Sequence, residues 1–404
     1  MSAQFLLDTN IVSDLVRNPQ GRTSAKIAEL GARTGAMLEE GTIRLREAEQ
    51  TFRFGPFRER PVASLLRGFS APATVAQALS LDDRLTIARA EPDLFARWAA
   101  TDALWRDLAL AFAGAREMTE PEAALKRFAA ALDQSLASAA SDPAFAAELL
   151  KVPTEADLVR HVDIIDPARI AAGRKRVRQG VAGALKPALL DLYRGLASNA
   201  PYDPSAASAG RRSLRNGALA LLVEAGEHEL ADRQAATAAN MTDEAAATAA
   251  LALADSSLRE HALDRFYMKW RGDPLVVNKW LGWRAMAPAP DALAEVRALT
   301  GHEAFDRKSP NKVRALIGVF AGQNLAGFHR ADGAGYAFFA DEALGLDATN
   351  PQLAARLMSV LESWRKLEPG RRRQAEAALR RIIAAPNRSA NLYEMASRLL
   401  GEPA

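Results

Sequence analysis

The apolar positions change period along the chain, and the change divides it. Phe5-Leu6-Leu7 is a short strand-like run, and Thr9-Asn10 is placed to start a helix through Ile11 and Leu15. A break at Pro19 and Gly21 precedes a short helical stretch near residues 25–30. Thr42-Ile43-Arg44-Leu45 and Thr51-Phe52-Arg53-Phe54 then alternate apolar and polar residues, the period of a half-buried strand. Pro61-Val62-Ala63-Ser64-Leu65-Leu66 continues the pattern, and a proline is tolerated at a strand's first position.

From Ser80 onward the period is helical. Phe95, Trp98, Ala99, Trp105, Leu108 and Phe112 share one stripe, and Leu125, Phe128, Leu132 and Leu136 another. Thr119 with Glu122 reads as a capping box, Asp166-Pro167 as an N-cap and first-turn pair, and Thr242-Asp243 as the opening of an alanine-rich helix. Stop signals fall at Gly195, Asn199-Ala200-Pro201 and Gly226, so the helices are short and follow one another through tight turns. The pattern predicts a mostly α fold: an irregular α-solenoid of stacked antiparallel helix pairs over residues 80–404. A small incomplete β-sandwich remnant (33–79) and a separate opening segment (1–32) precede it.

Composition supports the helical reading. The 404 residues are 49% hydrophobic but only 6% aromatic, and alanine outweighs the β-branched residues. Basic and acidic groups number 52 and 49 and are interspersed, giving a net charge of +3. The densest basic cluster, Arg174-Lys175-Arg176-Val177-Arg178, falls in a helix and reads as a solvated face, so no nucleic-acid partner is expected. There is no cysteine, hence neither disulfide nor thiolate metal site. The N-terminus lacks a basic, then apolar, leader, and the most apolar run (245–254) is too short to span a bilayer. No membrane partner and a cytoplasmic location are expected.

No motif for chemistry is complete. The five histidines are His161, His228, His261, His302 and His329. A zinc peptidase helix needs His-Glu-x-x-His, so that two imidazoles one turn apart share the metal. His228-Glu229-Leu230-Ala231-Asp232 and His302-Glu303-Ala304-Phe305-Asp306 each put Asp where the second histidine should be. Gly333-Ala334-Gly335 lacks the third glycine of a phosphate loop and reads as a turn. No catalytic residue and no metal ligand set are assigned. Asp8 stands at the end of the strand-like run, where a carboxylate can help to hold Mg²⁺ if further carboxylates lie nearby.

Two resemblances add to this. Leu6-Leu7-Asp8-Thr9-Asn10 and Ile11-Val12-Ser13-Asp14-Leu15-Val16-Arg17 resemble the opening of PIN-domain ribonuclease toxins, in which that Asp is the first of several metal-binding acids. The likeness covers some thirty residues, and the later acids do not follow. The second runs from Gly41 to the C-terminus and is carried by Pro61-Val62-Ala63-Ser64-Leu65-Leu66-Arg67-Gly68-Phe69-Ser70-Ala71-Pro72, by Asp273-Pro274-Leu275-Val276-Val277-Asn278-Lys279-Trp280, and most specifically by Ser309-Pro310-Asn311-Lys312-Val313-Arg314-Ala315-Leu316-Ile317-Gly318 and Asn350-Pro351-Gln352-Leu353-Ala354-Ala355-Arg356-Leu357. These stretches resemble the bacterial aminopeptidase N (alanyl aminopeptidase) family.

That family's zinc domain and its Gly-x-Met-Glu-Asn substrate segment have no counterpart here. Its third zinc ligand would fall on Leu251 or Leu325 when counted from the two His-Glu pairs. The resemblance implies a C-terminal half that forms the wall of a substrate chamber and is inactive alone. It carries no cofactor of its own, the family's zinc lying elsewhere. It implies that Arg314, Gln352 and Arg356 line the chamber, the arginines buried or half-buried; the alternative is that both arginines cap helix carbonyls or pair with acids. Implied partners are peptides or an aminopeptidase catalytic domain, with self-association through the surface that domain would cover. Two other readings stay open: a Mg-dependent PIN-type ribonuclease fragment on a helical scaffold, and a stand-alone peptide- or protein-binding solenoid.

Overall fold

The computed structural model describes residues 27–29, 39–41, 51, 60–65, 67–68 and 75–402, except 138, 140 and 199. Phe5-Leu6-Leu7, Asp8, Thr42-Ile43-Arg44-Leu45 and Phe52-Arg53-Phe54 lie outside the described residues.

Strands β1 (Ile27–Glu29) and β2 (Glu39–Gly41) pair antiparallel, with Ile27 opposite Gly41 and Glu29 opposite Glu39. Within the stretch expected to be helical near residues 25–30, the described residues 27–29 are therefore a strand. An isolated piece this short cannot repay helix nucleation, whereas a neighbouring strand supplies hydrogen-bond partners at once.

The helices follow in chain order: α1 (Leu81–Ala90), α2 (Leu94–Phe112), α3 (Pro121–Leu136), α4 (Pro143–Leu149) and α5 (Glu155–Leu158). Then come α6 (Pro167–Gly195), α7 (Ala206–Glu224), α8 (His228–Thr237), α9 (Met241–Leu253), α10 (Arg259–Trp270), α11 (Pro274–Met286) and α12 (Ala292–Leu299). The last are α13 (Pro310–Val313), α14 (Val319–Gln323), α15 (Leu325–Phe328), α16 (Ala334–Asp347), α17 (Pro351–Leu357), α18 (Pro369–Ala384) and α19 (Ala390–Leu400). Successive helices pack on one another, the arrangement expected of a mostly α solenoid.

The chain divides into two units. One comprises residues 1–108, 120–152 and 204–214. Its core draws on the two expected stripes: Trp105 and Leu108 from α2 and Phe128 and Leu132 from α3 are all at most 2% exposed. Trp105 stands edge-on to Phe128 at 5.0 Å, and its indole N–H donates to the Leu149 carbonyl at 3.1 Å. Phe95, from the same expected stripe, is instead 38% exposed at the start of α2. Residues 61–65 form no strand. The Ala63 carbonyl accepts from the Gln77 side chain at 3.1 Å instead of from a ladder. Arg60 makes two 2.9 Å bonds to Asp83, and Arg67 donates to Glu91 at 3.0 Å, which pins this segment to the helices. Nor does the Thr119–Glu122 capping box form. With Pro121 at the first helical position, the N-cap is Glu120 at φ 53°, and its side chain makes no cap bond.

The other unit comprises residues 109–119, 153–203 and 215–404. Asp166 caps α6 as expected, accepting from the Arg169 amide. The cap of α9 falls on Asn240 and not on Thr242. A parallel bridge joins Ile165 to Leu367, the Ile165 amide donating to the Lys366 carbonyl at 2.7 Å. Phe320, Phe328, Tyr336 and Phe339 fill the core edge to face, with centroids 5.5–5.9 Å apart around Phe328.

Candidate functional site

After Ser309, Pro310 opens α13, whose last turn widens into a π-helical stretch, Arg314–Gly318, before α14 resumes. Val313, Leu316, Ile317 and Phe320 turn inward and are buried, which leaves Arg314 outward. Its guanidinium donates to the Asn311 side chain at 3.2 Å and, among the described residues, to no carboxylate. Wide turns of this kind recur at functional sites. Here the close approach of α17 accompanies one, since a Cβ on Gly318 would lie 3.4 Å from Leu357.

Asn350 caps α17 by accepting from the Leu353 amide at 3.0 Å. The helix buries Leu353, Ala354 and Leu357 and leaves Gln352 and Arg356, one turn apart, exposed. Through the Gly318–Leu357 contact the structure brings the Arg314 turn beside the helix that bears Gln352 and Arg356. All three side chains are exposed, where burial or half-burial was expected of the arginines. Neither arginine caps a carbonyl or meets an acid among the described residues. Arg178, Arg265, Arg284 and Arg307 all end on carboxylates. Sequence reasoning missed Asn311, whose only signal was its place three residues before Arg314, on the same face of a helix.

The two His-Glu pairs have other work. Asp232 binds Arg265 at 2.9 Å, with His261 3.6 Å away. The His302 ring packs on Tyr267 and Trp280, and its Nδ1 accepts from the Ala304 amide at 3.0 Å. His329 is buried and bonded to the Tyr336 hydroxyl at 2.8 Å. Burial pushes its pKa down to about 3, so the ring is neutral at physiological pH. Among the described residues no group of three or more His, Asp or Glu is placed to hold a metal. The basic run on α6 is largely paired: Arg178 with Glu224 at 3.0 Å, Lys175 with Asp255 at 4.0 Å, and Arg176 over the Phe112 ring. Among the described residues no helix is long and apolar enough to cross a membrane.

Helix packed on helix along the chain is the arrangement of an ARM-repeat-like helical domain. The family described as a domain of unknown function (DUF3458_C) with ARM repeats matches residues 81–401, and its Ig-like companion (DUF3458) matches residues 24–78. The chain belongs to this family and corresponds to the C-terminal region of aminopeptidase N. Aminopeptidase N of Caulobacter vibrioides is 40% identical over 379 residues, which is 93% of this chain and 44% of that protein. The Escherichia coli enzyme of the same name is 34% identical over 363 residues, 89% of this chain and 41% of its own. A crystal structure of Legionella pneumophila aminopeptidase A in complex with aspartic acid superposes with a TM-score of 0.79 at 28% identity, covering 93% of this chain and 45% of that one. The chain thus spans less than half the length of the curated relatives it matches. The Ig-like match begins at residue 24 and takes in β1, within the segment that the toxin-like opening was expected to occupy.

Proposed function

We propose that this chain forms part of the wall of an aminopeptidase substrate chamber, with Arg314, Gln352 and Arg356 directed toward peptide, and that it has no peptidase activity alone. The observation that carries the reading is the pair of exposed arginines without acid partners among the described residues, on adjacent segments, in a chain matched along nine-tenths of its length by aminopeptidase N. A guanidinium that no internal carboxylate occupies keeps its planar set of donors for peptide carbonyls and carboxylates. Asn311 steadies Arg314 without neutralising it. Hydrolysis of a peptide bond by this family needs a metal-polarised water, and the sequence offers no His-Glu-x-x-His to hold the metal. The test is release of aniline product from an alanyl anilide by the purified chain. No release is expected with or without added zinc. Release that a chelator abolishes and zinc restores would overturn the reading.

A further inference from the structure

Within the larger unit, a cavity of about 600 Å³ opens between α5, the ends of α11 and α12, the α14–α16 connection and α18. That volume lies within the range of small-molecule pockets, about 300–1,000 Å³. Its wall is mostly apolar, with Met286, Pro288, Leu293 and Ala326 among the lining residues. Four charged side chains reach it: Glu155, Arg330, Asp332 and Arg371.

Three of the four are already neutralised. Arg330 and Asp332 pair at 2.7 Å, and a second nitrogen of Arg330 reaches the Pro290 carbonyl. Arg371 is held by the Glu368 carboxylate at 3.2 Å and by the His329 carbonyl. Asn324, also in the wall, uses its amide fully on the carbonyls of Ala285 and Ala287 and on the Gly327 amide, each at 3.0 Å.

Glu155 differs. One of its oxygens accepts from the Leu325 amide at 3.0 Å, and among the described residues no cation lies within ion-pair distance of the carboxylate. Arg174 and Arg178 act on it through charge, with no hydrogen bond to it: the Arg174 Nε is committed to the Pro153 carbonyl at 2.7 Å, and Arg178 pairs with Glu224 at 3.0 Å. A half-buried carboxylate usually ends on a cation, because leaving water uncompensated is costly.

We propose that this cavity binds a ligand carrying a primary ammonium group on an apolar body, the ammonium donating to the free oxygen of Glu155 and the body lying on the Met286, Pro288 and Leu293 wall. A neutral apolar molecule would leave the carboxylate unsatisfied, and an anion would meet it with like charge. The compact ammonium fits beside a single carboxylate oxygen, and it does not require the bidentate geometry of a guanidinium. This site is separate from the one that bears Arg314, Gln352 and Arg356, and it stands whether or not the chamber reading does.

The test uses the full chain with n-hexylamine as probe, measured by ligand-observed NMR and calorimetry, against N-acetylhexylamine, which keeps the body and removes the charge. Saturable binding of n-hexylamine is expected, with the acetylated probe at least tenfold weaker. Glu155→Gln, which keeps the acceptor for Leu325, is expected to weaken n-hexylamine at least tenfold. Ala326→Phe, which fills the cavity and leaves Glu155 intact, is expected to weaken it as much. Both variants are checked for an unchanged circular dichroism spectrum. Absence of saturable binding would overturn the proposal, as would equal binding of the two probes or full affinity in either folded variant.

Discussion

Gly335 lies so close to Phe328 that a Cβ at position 335 would stand 1.9 Å from the Phe328 carbonyl oxygen. The contact sits beside Gly333, which starts α16 at φ 74°, and it lets the α15–α16 turn fold onto the aromatic core. Gly335→Ala must push one backbone away from the other. The expected cost is about 3 kcal/mol, the upper end of overpacking. Urea denaturation followed by tryptophan fluorescence checks this, and a loss below about 1 kcal/mol would show that the turn yields freely.

In the other unit, Trp105→Ala removes a fully buried indole and leaves the Leu149 carbonyl without its donor. A loss of about 3–5 kcal/mol is expected. Trp105→Phe should lose less, because the edge-on packing against Phe128 survives in part. Parallel denaturation curves of the two variants provide the comparison. An equal loss in both would place most of the cost in the hydrogen bond.

Much of this fold could be read from the chain. Leu125, Phe128, Leu132 and Leu136 recur at helical spacing, and all four are buried on α3. Asp166-Pro167 caps α6, and Gly195 ends it. The failures are local rules overridden by neighbours. Pro121 shifts the start of α3 past the Thr119–Glu122 box, and the Gln77 side chain takes the Ala63 carbonyl that a strand partner would need. At the site, the positions of Arg314, Gln352 and Arg356 were legible only through family resemblance. Their exposure was not, because it depends on which face of α17 meets Gly318. Glu155 carried no signal at all: an acid in a helix's first turn is common, and only the fold shows that among the described residues no cation pairs directly with it.

The buried histidine makes stability depend on pH. The unfolded chain takes up a proton at His329 near the ordinary 6.5, but burial holds the folded pKa at about 3. The contribution is fully present above pH 6.5 and is lost as pH falls from there toward 3, with a slope of up to about 1.4 kcal/mol per pH unit. His329→Gln should flatten that part of the stability profile, whatever it does to the value at pH 7. Melting temperatures from pH 7 to pH 4.5 test this, and an unchanged slope in the variant would contradict it.

Glu155 works in the opposite direction. Burial raises its pKa above the ordinary 4.5, while Arg174 and Arg178 pull it partly back. Its ionised form is therefore a cost to the folded state, and the cost grows as pH rises through the window above 4.5. In the absence of any amine, Glu155→Gln should melt higher than the wild type at pH 8, and the difference should vanish near pH 4. A variant that melts lower at pH 8 would mean that the carboxylate is stabilised by its surroundings.

The chamber reading is tested most directly by complementation. This chain and a separately expressed N-terminal half of Caulobacter vibrioides aminopeptidase N are mixed, and both assembly and turnover of an alanyl peptide are measured. The account predicts that they assemble and that turnover appears. It also predicts that the double change Arg314→Ala and Arg356→Ala lowers turnover about tenfold or more while leaving assembly within about twofold. Turnover untouched by the double change, or a chain that ignores the added half, would contradict it.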